Sequence, residues 1–99
     1  MAPMMRTLVL TAVLTAVLAL PGHAACYADY KAKRDGPLKL HYGVIELPDD
    51  ACSSKAKAAR VAAGRVAAGG WTLLTVVSTF GSDGLSERRD RAGDFYLRY

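Results

Sequence analysis

The chain has 99 residues, 13 Lys and Arg against 9 Asp and Glu, a net charge of +4, and 52% hydrophobic residues. That is one domain's worth of sequence. It excludes a multidomain enzyme, a multi-span membrane protein and an acidic disordered tail, and leaves little room for a deep catalytic pocket.

Residues 1–24 read as a cleavable export signal. Arg6 and the amino terminus supply positive charge, and the thirteen residues 8–20 carry none. A membrane-spanning helix needs about 20 apolar residues and a signal core roughly 7–15, so the length fits a signal rather than its alternative, a retained anchor helix. Pro21 and Gly22 break the helix, and Gly22 and Ala24 put small side chains before a cut that leaves Ala25 first. Cleavage there leaves 75 residues with twelve cations and nine acids, +3, near the lower limit for unaided folding. The expected location is periplasmic or secreted, with no transmembrane helix in the mature chain.

Two cysteines remain, Cys26 and Cys52. Outside the cytoplasm such a pair reads as a disulfide, closing a loop of about 25 residues and stabilising by roughly 3 kcal/mol. The alternative is a lipid anchor on Cys26, since Ala24-Ala25-Cys26 partly resembles a lipoprotein signal. His23 stands where that pattern wants an aliphatic residue, and acylation would leave Cys52 unpaired. His41 is the one mature histidine, so zinc would lack ligands; no metal or cofactor is expected.

Residues 25–37 form a polar, basic lead-in, closed by Gly36-Pro37. Residues 38–47 alternate, Leu38, Leu40, Tyr42 and Val44 against Lys39, His41 and Gly43, which predicts a half-buried strand. Asp49, Asp50, Ser53 and Ser54 suit a helix start, and the Ala-rich stretch 51–68 predicts the helix. Its expected buried stripe is Ala56, Ala59, Ala63, Val66 and Ala67. Gly69-Gly70 stops it. Residues 71–80, apolar on both faces, predict a central strand. A polar loop, 81–93, and a short alternating strand, 94–99, complete the chain.

The expected fold is α+β: a β-α-β-β domain over 38–99, with one helix on a three-stranded mixed sheet. The right-handed crossover rule makes its first two strands parallel. Its second face, lacking a helix, would need cover from the lead-in or from a second copy.

The run Gly69-Gly70-Trp71-Thr72-Leu73-Leu74, followed by Phe95-Tyr96-Leu97-Arg98, resembles a group of small bacterial domains of uncharacterised activity with a strand–helix–Gly-Trp-strand–strand pattern. The order is also similar to half of a sporulation-related (SPOR) peptidoglycan-binding domain, without that domain's second helix. The resemblance implies the fold and assigns no catalytic residue.

Candidate binding residues are Trp71 and the loop arginines Arg88, Arg89 and Arg91, whose guanidinium groups suit phosphate or carboxylate. Asp83, Glu87, Asp90 and Asp94 oppose them with an internally paired loop. His41 reads as a surface or packing histidine rather than a general base. Lys31, Lys33 and Arg34, preceded by Tyr27 and Tyr30, read first as an ordinary solvated face; the alternative, given export, is attraction to an anionic surface rather than to nucleic acid. The expected function is therefore a non-catalytic module that docks a protein partner or a second copy. The alternative is a weak binder of anionic envelope polymer.

Overall fold

A computed structural model describes residues 25–99; the expected signal, 1–24, lies outside the described residues. Strand β1, Cys26–Arg34, buries Cys26, Ala28, Tyr30 and Ala32 on one face. A turn containing a cis Gly36–Pro37 peptide leads to β2, Lys39–Leu47, which pairs antiparallel with β1 from Cys26↔Leu47 to Arg34↔Lys39. After a 3₁₀ turn, Asp49–Ser53, helix α1 spans Lys55–Ala68. Its amino end is capped by Ser54 Oγ, which accepts from the Lys57 amide at 3.1 Å. Gly70, at φ +85°, turns the chain where a side chain would be strained, and β3, Thr72–Phe80, follows. A second 3₁₀ turn, Ser82–Gly84, a short helix α2, Ser86–Ala92, and a 3₁₀ turn, Gly93–Phe95, complete the elements.

The sheet order is β2-β1-β3, with both pairings antiparallel. β2 and β3 therefore run parallel to each other, and the connection through α1 joins them across β1. We call the face under α1 the helix face. There Ala58, Ala62 and Val66 of α1 meet Ala28, Tyr30, Ala32, Ile45 and Val76 in the core, joined by Trp71. Small side chains on the helix let it lie close to the sheet, and Tyr30 fills the space that remains. α2 lies on the distal face, where Val44 and Ala92 are buried. The Cys26–Cys52 disulfide, with Cα atoms 6.0 Å apart, ties the start of β1 to the 3₁₀ turn before α1. It places the folded chain in an oxidising compartment.

The α+β class and the three-stranded sheet are as expected; several details differ. Residues 25–37 are not a lead-in, because Cys26–Arg34 is the central strand. Half of its buried inward residues are alanine, and three of the four on the other face are charged, so weak β-propensity hides a clean period-2 alternation. The order is thus β-β-α-β-α rather than β-α-β-β, and the sheet is antiparallel rather than mixed. β3 is an edge strand, not the centre: two bulges, at Leu74 and Val77, change its phase, so apolar residues fall on both sides without both faces being covered. Residues 94–99 form no strand beyond one parallel bridge, Val44↔Tyr96. The buried stripe of α1 is Ala58, Ala62 and Val66, rotated from the one expected. The polar loop contains α2, and it is this helix that covers part of the distal face.

Candidate interaction surfaces

On the distal face, α2 is held by a buried acid. Asp29, 3% exposed on β1, accepts from three side chains: Ser78 Oγ at 2.6 Å, Tyr42 Oη at 2.7 Å and Arg88 Nε at 3.2 Å. Burial alone would raise its carboxyl, but these donors outweigh it and hold the group below its ordinary value. Burial, then the bond to Asp29, pushes Tyr42 up to about 12. Arg88 also donates to the Gly84 carbonyl and to Glu87, both at 2.7 Å, and lies 3.9 Å over the Phe80 ring. Arg91 lies 4.3 Å over Tyr42 and Arg89 5.9 Å over Tyr96.

On the helix face, His41 sits among aromatic rings. It is 9% exposed, stacks 3.7 Å from Phe95, meets Trp71 edge-on at 4.3 Å, and hydrogen-bonds the Tyr30 hydroxyl through Nε2 at 2.9 Å. Its Nδ1 has no hydrogen-bond partner among the described residues. Burial, then the charges of Arg34 and Arg98, holds His41 below its ordinary value, so it stays neutral. Burial, then Tyr99, pushes Tyr30 up to about 12. Arg34 closes the cluster: its guanidinium lies 4.2 Å over Trp71 and donates to the Gly69 carbonyl at 2.8 Å.

The candidate residues are thus placed in three ways. Trp71 is a buried part of the His41 cluster, with one face under Arg34. Arg88 is committed to Asp29, while Arg89 and Arg91 lie exposed above tyrosine rings. Cys26 and Cys52 form the expected bond. Arg88 and Trp71 are not brought together, since they lie on opposite faces of the sheet. Among the described residues, no three His, Cys, Asp or Glu side chains cluster as a metal site, and no helix is long and apolar enough to cross a membrane.

Two apolar open surfaces stand out among the described residues. One is the flank of β3, whose outer edge has no paired strand among the described residues. Its nine residues carry no charge, and Leu74 is 51% exposed. Beside it, Ala59, Ala63 and Ala67 of α1 and Leu73 of β3 line a mostly apolar groove of about 380 Å³. The other is the β1–β2 hairpin end, where Leu38 and Leu40 are exposed beside lysines. Asp29, Tyr42 and these leucines were not among the candidates. Asp29 alternates with Lys31 and Lys33 and so looks like part of a solvated face, and Leu38 and Leu40 look like the buried half of an amphipathic strand. No protein-family model, curated protein or solved structure matches this chain.

Proposed function

We propose that the mature chain is an exported, non-catalytic module, periplasmic or secreted, that binds an extended segment of a partner protein along β3. The observation that carries this reading is an unpaired, uncharged edge strand bordered by an apolar groove. An added strand gains backbone hydrogen bonds from the edge and side-chain burial from the groove. The bulges at Leu74 and Val77 twist the edge, which favours a short partner segment over long, flat pairing with a second copy. The non-catalytic part is supported by how the ionisable groups are used: the Asp29 oxygens are occupied by internal donors, and His41 is enclosed by rings. A photoreactive phenylalanine analogue at Ala67, which lines the groove, is expected to give a discrete crosslinked species in the envelope. The same analogue at Lys57, exposed elsewhere on α1, is expected to give none. Identical crosslinking at both positions, or turnover of a substrate abolished by His41→Ala, would sink the reading.

A further inference from the structure

Hairpin ends are solvated, and their side chains are ordinarily polar. Residues 34–40 are all exposed here, yet two are leucines, Leu38 at 63% and Leu40 at 66%. Lys33 stands directly opposite Leu40, with Lys31 next along the same face, while Arg34 and Lys39 pair on the other face. The only acid in this hairpin end is Asp35, which is 3.3 Å from Lys33. Four cations and one acid give this end +3. The other described residues hold eight cations and eight acids, so the net charge of the folded domain sits entirely beside its two most exposed leucines.

We propose that this hairpin end docks the protein on an anionic phospholipid bilayer. Leu38 and Leu40 enter the boundary between head groups and acyl chains, and the surrounding cations remain at the phosphate layer with their methylene stems along the apolar boundary. An anionic polymer would satisfy the cations but offers leucine no apolar phase to enter. The hairpin end shares no lining residue with the groove beside α1, although Leu40 and Lys31 meet Leu74 of β3 on the distal face, and this inference does not rest on the partner reading.

The test is sedimentation of the exported protein with phosphatidylcholine vesicles, with and without phosphatidylglycerol. Binding is expected on the anionic vesicles, roughly 100-fold weaker on the neutral ones, and weaker as salt is raised. Leu38→Ser combined with Leu40→Ser is expected to lower binding at least tenfold, or about that for a single buried leucine. Lys31→Gln combined with Lys39→Gln is expected to lower it about 30-fold. All four side chains are exposed, so thermal unfolding of both variants should match the parent, and all chains share one amino terminus, so a retained leader cannot create the difference. Ala67→Arg, which fills the β3 groove, is expected to leave vesicle binding unchanged. Equal binding to both vesicle types overturns the proposal. So does binding indifferent to the leucine pair, which would indicate charge alone, as for a soluble polymer. Loss of a protein crosslink on changing the hairpin, with no vesicle binding by the parent, overturns it in favour of a protein surface.

Discussion

A methyl group at position 43 would meet Tyr30: an ideal Cβ there lies 2.5 Å from the hydroxyl oxygen and 2.6 Å from a ring carbon. Tyr30 is fully buried and cannot swing away, so Gly43→Ala is expected to cost about 1–3 kcal/mol, read from the midpoint of urea unfolding. His41, two residues earlier, gives a pH effect. The unfolded chain takes up this proton near pH 6.5, the folded chain only at lower pH. Stability is therefore full above about 6.5 and declines as pH falls through the folded value. Denaturation midpoints between neutral and mildly acidic pH should show that slope, and His41→Phe should flatten it. Asp29 behaves similarly further down, its contribution fading as pH drops below 3.8. That His41 lies on a strand was legible from the alternation of residues 38–47; its burial was not. Its neighbours were not, because Phe95 and Tyr99 arrive from more than fifty residues away.

At the scale of elements, α1 and the existence of strands at 38–47 and 71–80 were readable because alanine content and alternation are local signals. β1 was hidden because Ala28 and Ala32 on its inward face are poor strand formers and Asp29, Lys31 and Lys33 crowd the other, and its place at the centre of the sheet depends on pairings that no local window contains. α2 was hidden by its length: seven residues, Ser86–Ala92, are too few to form a stable helix alone. Its position comes from Arg88 on Asp29. Arg88→Ala is accordingly expected to free α2 before the sheet. Hydrogen exchange should quicken for the amides of residues 86–92 while those of β1 keep their protection. The substitution should cost roughly 2–3 kcal/mol, since it leaves Asp29 buried with one fewer donor. If β1 and α2 lose protection together, the helix is not an independent latch.

For the whole molecule, the disulfide is a contributor that paired substitution removes cleanly. Cys26→Ser with Cys52→Ser is expected to lower stability by about 3 kcal/mol and the melting temperature by roughly 12–24 °C, measured by circular dichroism. A domain this small has little reserve, so reduction should unfold much of the population at 37 °C. Oligomeric state follows from the same architecture. With α2 over part of the distal face and bulges along β3, the protein is expected to sediment as a monomer in the absence of lipid and partner. The path of the chain after α2 has a further outcome for assembly. Residues 93–99 leave the distal face, bridge the outer edge of β2 through Tyr96, and bring Phe95 and Tyr99 onto the helix face beside His41. A nascent chain that has made all three strands and α1 still lacks these wedges. The helix face around His41 is therefore completed only when residues 93–99 dock on it.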